Sequence, residues 1–294
     1  MKKFVDYLGT RARGHLVDYA LGDWLEAGSG GPANRTPVEI TSTMAYYHCA
    51  RIVSKTAGLM GDRATAEKYL TLSDSIRSAL NQKYFDRAHH RYAADSQSAS
   101  AMALVLGLAP NEERPAVLAE LARNIREDRT NHVSTGIVGT RFLFEALHAG
   151  GRDDLAYAIL TQPDFPGWVN MLNHGATTAW ESWEGGSSRN HPALTVVDAW
   201  LYEAIGGVTP EPGAIAFEQV TIAPQVLGNL AWARASHDTL RGPIESRWTK
   251  DKKRFTLKVV VPVGTRADVV VPSREGPQHH ECGSGSYTFT SLLK

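Results

Sequence analysis

Gly58-Leu59-Met60-Gly61-Asp62-Arg63 ends one helical pattern and begins another. Over the 62–81 stretch that follows, Tyr69, Leu72, Ile76 and Leu80 recur at spacings of three and four. That is the period of an amphipathic helix, and Asp62 stands where its N-terminal cap belongs. The joint returns twice, as Pro110-Asn111-Glu112-Glu113-Arg114 and as Gly150-Gly151-Arg152-Asp153. Pro115 suits the first turn of a helix that places Leu118, Leu121 and Ile125 on one side, and another helix runs from Asp153 through Leu155 and Ile159. The segments before these joints, 40–59, 98–107 and 136–149, are rich in Ala, Leu, Met and aromatic residues and are also helical in pattern. Short joints force antiparallel pairs, and a recurrence of about 40–50 residues is the period of helical-hairpin arrays. With 1–20 and a last helix at 194–206, centred on Val197, Trp200, Leu201 and Ile205, the pattern predicts roughly eight helices, stacked as an open solenoid or a closed ring.

At Gly206-Gly207-Val208-Thr209-Pro210-Glu211-Pro212-Gly213 the character changes, and Pro and Gly at this density predict a linker. Beyond it the period becomes two. Val220/Ile222, Ile244/Ser246/Trp248, Phe255/Leu257/Val259 and Ala267/Val269/Val271 alternate with polar neighbours, and a last strand is expected at Tyr287-Thr288-Phe289-Thr290. The expected organisation is a helical-hairpin domain over 1–207 and a small antiparallel β-sandwich over 213–294.

The 294 residues are 43% hydrophobic and 21% charged, which excludes a disordered or fibrous chain. Thirty-one basic residues cancel thirty-one acidic ones, so the field that draws a protein onto nucleic acid or anionic lipid is missing, and neither is an expected partner. No apolar run approaches the roughly 20 residues of a membrane span. Met1-Lys2-Lys3-Phe4-Val5-Asp6-Tyr7 turns to charge before an export signal can form, so the compartment is open and the stretch as written reads as cytoplasmic. Of the two cysteines, Cys49 is expected to be buried and Cys282 exposed. His89-His90 and His279-His280 are adjacent pairs without ligand spacing, and no metal or cofactor is called for.

Chemistry concentrates in His174-Gly175-Ala176-Thr177-Thr178-Ala179-Trp180-Glu181-Ser182-Trp183-Glu184-Gly185-Gly186, followed by Arg189-Asn190-His191-Pro192. Prolines and glycines on both sides leave room for a loop and a single turn. Glu181 lies between two indoles, where apolar surroundings and a stacking face such as Trp183 suit a general base of glycoside hydrolysis. The alternative is that Trp180 and Trp183 anchor a core and Glu181 caps or pairs. Glu184 is a solvated turn residue or a partner carboxylate, and His191 can bond a ligand hydroxyl. A second cluster, Gly22-Asp23-Trp24-Leu25-Glu26, sets acceptor oxygens beside a flat ring, as a shallow sugar pocket would. The third, His132 to Thr140, favours a structural use, with Ser134 or Thr135 as a helix cap.

These clusters occur in the order and spacing of the bacterial α-L-rhamnosidases, and the chain up to about Pro272 resembles their C-terminal part. Gly22-Asp23-Trp24, His132 to Thr140, Gly175-Ala176-Thr177-Thr178 leading into Trp180-Glu181-Ser182-Trp183, and Asn190-His191-Pro192 with Asp198 and Trp200 carry the resemblance. It implies a ring of six helix pairs, here a partial (α/α)6 toroid, followed by a β-sandwich. It further implies hydrolysis of terminal α-L-rhamnosyl residues with inversion, Glu181 as general base, and Asp23, Trp24 and His191 lining the rhamnose site. The expected partner is a rhamnose-containing glycoside or polysaccharide. The family's general acid sits in an Arg-Asp-Glu-Arg string upstream of Gly-Asp-Trp, and that string is absent here. Thr195-Val196 also replaces the small Gly-Ser pair usual after the histidine. The expectation is therefore a rhamnosidase-type chain incomplete by itself, completed by self-association or by a complementing N-terminal chain. A non-catalytic carbohydrate-binding or scaffold protein of the same descent is the alternative.

Overall fold

The computed structural model describes residues 1–31, 33–186 and 188–294. The chain divides into two compact units, Met1–Val196 and Val197–Lys294.

The first unit is helical. It runs α1 (Lys2–Arg11), α2 (Val38–Leu59), α3 (Arg63–Tyr84), a hairpin of β1 (Phe85–Asp86) and β2 (Arg91–Tyr92), then α4 (Gln97–Val105), α5 (Arg114–Arg123), α6 (Gly139–Ala149), α7 (Asp153–Leu160) and α8 (Trp168–Asn173). Two kinds of helix alternate. α3 buries one stripe, Tyr69, Ser73, Ile76 and Leu80, and keeps its other faces polar. α4 buries every residue from Gln97 to Leu104, and its Ser and Ala side chains let neighbours approach on all sides. A helix apolar or small all round belongs inside, and a one-striped helix outside. α2, α4 and α6 accordingly pack on one another as an inner row, while α3, α5 and α7 each fold back on the inner helix before them. These hairpins form part of a helical toroid.

Asp62 caps α3 as its position predicts, accepting from the Thr65 N–H at 3.1 Å, and Pro115 lies in the first turn of α5. The expected helix over 1–20 stops at Arg11, because Gly14 and His15 both take positive φ and the chain turns back on itself between Arg13 and Leu16. The α5 run ends in a π-helical turn, Asn124–Asp128, followed by Thr130 and Asn131 at positive φ.

The second unit opens with α9 (Val197–Trp200) and a π-helical turn, Leu201–Ile205. Its strands are β3 (Val208–Pro210), β4 (Gln219–Ile222), β5 (Trp232–Thr239), β6 (Gly242–Asp251), β7 (Arg254–Val261), β8 (Arg266–Val271), β9 (Gln278–Cys282) and β10 (Gly285–Leu292). They form two four-stranded sheets, ordered β10-β7-β6-β5 and β3-β4-β8-β9. Val220, Ile222, Val269 and Val271 of one sheet and Ile244, Trp248, Phe255 and Leu257 of the other fill the core of a sandwich. The pairing is antiparallel except between β4 and β8, which run parallel, a departure from the all-antiparallel expectation.

The Pro/Gly run expected as a linker is built into this unit. A side chain at Gly206 would press on Ala235, and one at Gly207 (φ 76°) on the backbone at Ala223 and Pro224. Val208–Pro210 then pairs with β4. The indole of Trp248, 1% exposed, donates to the Ile205 carbonyl at 2.8 Å, so the sheets and the helical turn share one core. The cysteine expectation is reversed. Cys282 ends β9 buried, whereas Cys49 is half-buried on α2.

Candidate active site

Three loops of the helical unit, each leading toward an inner helix or its neighbour, carry the residues singled out in the sequence. The first is 22–36. Asp23 is fully buried, and each of its oxygens is committed. Oδ2 accepts from Gly136 N–H at 2.8 Å and from the Ser98 hydroxyl, and Oδ1 accepts from Val138 N–H at 3.0 Å and Gly139 N–H at 2.8 Å. Burial pushes its carboxyl pKa up against the pull of these donors. Asp23 therefore holds the 136–139 turn at the start of α6 and presents no oxygen to a sugar in this arrangement. This corrects its expected place in the pocket lining: four neighbouring donors had no signature in the local sequence.

Glu26, unremarked in the sequence beyond its place in the motif, does the same for its own loop. It is buried and accepts from the backbone N–H groups of Asn34, Arg35 and Thr36 at 2.7, 2.7 and 2.9 Å. Between the two carboxylates, Trp24 stays half-exposed, and its carbonyl accepts from Ile137 N–H at 2.9 Å. The glycines of 136–139 are explained by this closeness. A Cβ at Gly136 would collide with the carbonyl oxygens of Asp23 and Trp24, and one at Gly139 would come within 2.7 Å of Asp23 Oδ2.

The tryptophan loop docks on the same place. Trp183, 1% exposed, donates its indole N–H to the Thr135 carbonyl at 2.9 Å. It stands edge-on to Trp168 with ring centroids 4.9 Å apart, and Trp168 in turn donates to the Leu194 carbonyl at 2.9 Å. Trp183 is thus an anchor with its ring enclosed, not the open stacking face expected of it: a large ring in a polar loop reads alike in sequence whether it packs inward or outward. Glu184 accepts from Gly28 N–H at 2.8 Å and ties the loop to the first one.

Glu181 and His191 lie on two paired runs of the same loop. Residues 178–181 run beside 188–191: Glu181 N–H donates to the Ser188 carbonyl at 2.8 Å, His191 N–H to the Ala179 carbonyl at 3.0 Å, and the Thr178 hydroxyl to the Arg189 carbonyl. Arg189 lies over the Trp180 ring, 5.2 Å from its centroid. In this clasp Glu181 is half-buried, and Oε2 accepts from Ser188 N–H at 3.2 Å. Among the described residues nothing bonds Oε1. His191 Nδ1 accepts from Ala193 N–H at 3.1 Å, so the neutral ring carries its proton on Nε2 and offers a donor there. The clasp thus presents a carboxylate with an open oxygen and an imidazole N–H, on a loop locked by indole and carboxylate anchors. That pair can take a proton from water and hold a hydroxyl.

Comparison with known proteins gives a consistent result. Residues 1–205 match the bacterial alpha-L-rhamnosidase 6 hairpin glycosidase domain, and residues 207–285 the bacterial alpha-L-rhamnosidase C-terminal domain. An alpha-L-rhamnosidase of Streptomyces avermitilis is 32% identical over 296 residues, covering 92% of this chain and 28% of the relative. One of Alteromonas sp. (strain LOR) is 30% identical over 292 residues, 93% of this chain and 31% of the relative. The chain therefore spans less than a third of the length of these relatives. Among solved structures, the alpha-L-rhamnosidase from Dictyoglumus thermophilum superposes with a TM-score of 0.90 at 32% identity, covering 98% of this chain and 36% of that one. The Streptomyces avermitilis enzyme complexed with L-rhamnose gives 0.89 at 30% identity, covering 98% of this chain and 30% of that one.

Proposed function

The chain belongs to the bacterial α-L-rhamnosidase family, and from that premise we propose that it carries the base half of an inverting glycosidase centre acting on terminal α-L-rhamnosyl residues. Glu181 is the general base. The observation that supports this is the clasp of 178–181 on 188–191, which carries Glu181, with its Oε1 unbonded among the described residues, and His191, with its Nε2–H free to donate, on one anchored loop. Glu181 takes a proton from a water whose oxygen attacks the anomeric carbon on the face opposite the leaving oxygen, so the C–O bond to the aglycone breaks as the new one forms and the configuration inverts. Trp24, half-exposed, supplies an apolar wall suited to a methyl-bearing sugar, and His191 holds a ring hydroxyl. Asp23 and Trp183 act through the loops they lock. The departing oxygen must also gain a proton, and the Arg-Asp-Glu-Arg string that would supply the acid does not occur in the sequence. The proposed source of that acid is polypeptide outside these 294 residues, since a second copy carries the same sequence.

An acidic phenol leaves with little protonic help, whereas an alkyl alcohol does not. The expected result is release of p-nitrophenol from p-nitrophenyl α-L-rhamnoside, no turnover of methyl α-L-rhamnoside, and β-L-rhamnose as the first anomer seen by NMR. Glu181→Gln should slow the aryl reaction by about 10²–10⁴-fold. An α-anomer appearing first, or an unchanged rate in Glu181→Gln, overturns the assignment. Rhamnose binding without turnover of either glycoside would favour the carbohydrate-binding alternative.

A further inference from the structure

The outer face of the β10-β7-β6-β5 sheet carries a large exposed ring beside a row of cations. Ile244, Ser246 and Trp248 of β6 and Phe255, Leu257 and Val259 of β7 are buried, so the residues alternating with them point away from the core. Strand register then fixes two rows on that outer face. In the first, Trp232 stands opposite Thr249, Thr249 opposite Thr256, and Thr256 opposite Thr290. In the second, Arg234 stands opposite Arg247, and Arg247 opposite Lys258. Trp232 is 68% exposed, and all three cations are exposed as well.

Folding alone favours neither row. An indole left in water gives up the stabilisation of burial, and like charges directly opposite on neighbouring strands repel. Glu245 relieves Arg247, with Oε2 2.6 Å from Nη2. Among the described residues Arg234 and Lys258 have no carboxylate partner. Two further carboxylates sit on this face: Asp251, opposite Arg254, and Asp238, at the far end of β5 opposite Pro243. Four cations against three carboxylates leave the face positive, and the unpaired charge lies at Arg234 and Lys258. The chain's overall charge is zero, so this field is local and screened within about 10 Å, unlike the extended attraction that captures nucleic acid.

An anion seated across the second row would relieve the repulsion, and a carboxylate suits guanidinium groups through paired hydrogen bonds. Neighbouring strands lie about 5 Å apart and alternate residues of one strand about 7 Å, so a ring laid on Trp232 brings an acidic group on its rim to the cations. The C–H face of a pyranose is apolar and matches an indole, while its hydroxyls can exchange hydrogen bonds with the threonines. A protein interface is depleted of charge at its centre, whereas Arg247 and Lys258 occupy the two central strands here.

We propose that this outer face binds an acidic polysaccharide, with a sugar ring stacked on Trp232 and its carboxylate or sulfate lying across Arg234, Arg247 and Lys258. The inference goes beyond the catalytic reading and does not depend on it. It gives the second unit a role of its own, in holding polymers that bear anionic groups.

The test is affinity electrophoresis of the full chain in native gels cast with polygalacturonic acid, dextran sulfate, dextran or single-stranded DNA, each migration taken relative to a polymer-free gel. The expected result is retardation by polygalacturonic acid or dextran sulfate and none by dextran. Whichever charged polymer acts at the lower concentration identifies carboxylate or sulfate as the preferred group. Trp232→Ala, and separately Arg234→Gln combined with Lys258→Gln, should each raise the concentration needed roughly tenfold. All three positions are exposed, and a circular dichroism melt that overlays the parent verifies that each variant keeps the fold. Migration that neither charged polysaccharide slows, or retardation that survives both sets of substitutions, overturns the proposal. Retardation by dextran as strong as by the charged polymers overturns it too, and so does retardation by DNA at lower concentration than by either polysaccharide, which would make the face a nucleic-acid site.

Discussion

Asp23 shows how one side chain can tie its own loop to a helix and to a distant turn. Its two oxygens serve four donors, three of them backbone N–H groups of the turn that starts α6. Asp23→Asn keeps the shape but replaces one acceptor by an NH₂ that faces N–H or O–H groups. Two donors lose their partner, at about 1–3 kcal/mol each. The expected outcome is a fall in the melting temperature of the helical unit of the order of 10 °C, read by circular dichroism at 222 nm. A melting curve that overlays the parent would mean that the four contacts contribute nothing to stability. At this scale the sequence was informative about location and silent about role. Gly-Asp-Trp and the glycines of 136–139 were visible as clusters, but that the carboxylate of one fills the hollow left by the missing side chains of the other depends on a separation of more than a hundred residues. Glu26 was hidden for the same reason, because its three donors come from a loop of no regular pattern.

Helices whose burial is one-sided are legible, and α3 is the clearest case. Its stripe, its joint and its cap are all local signals, and Asp62 accepts from Thr65 as its position implies. The Thr65 hydroxyl first, and its backbone N–H with it, hold the Asp62 carboxyl below its ordinary value of 3.8. A depressed value in the folded state means that the stabilisation is present above about pH 3.8 and is lost as pH falls through the lower folded value. Asp62→Ala should therefore lower the urea midpoint at pH 7, and the gap between the two proteins should narrow on acidification toward pH 2. A gap independent of pH would show that the charge plays no part in the cap. Of the edge strands, β10 was legible and β5 and β9 were not. β5 buries only Ala235 on a strand of eight residues, so no alternation marks it, and β9 is Gln-His-His-Glu-Cys, polar until its last residue. An edge strand is fixed by the hydrogen bonds it makes with its neighbour, which leave no trace in hydropathy.

Over the whole chain, the change from period 3.6 to period two separated a helical part from a sheet part, the loop motifs carried the family resemblance, and the Pro/Gly run suggested a boundary within 207–213. The second compact unit begins at Val197, and within it Trp248 donates to Ile205, Gln225 N–H to the Ala204 carbonyl and Ala223 N–H to the Gly207 carbonyl, the last two at 2.8 Å. A polypeptide of residues 197–294 is expected to unfold in one cooperative step. One of residues 213–294 should melt at a lower temperature, with the Trp248 indole N–H left buried and unpaired at a cost of about 1–3 kcal/mol. Equal melting temperatures would show that the helical turn is a passenger. The grip of Trp248 on Ile205 also constrains how such chains can be recombined. A crossover between relatives placed in the glycine-proline run would pair one parent's indole with the other parent's helical turn, whereas a crossover ahead of Val197 transfers lock and key together.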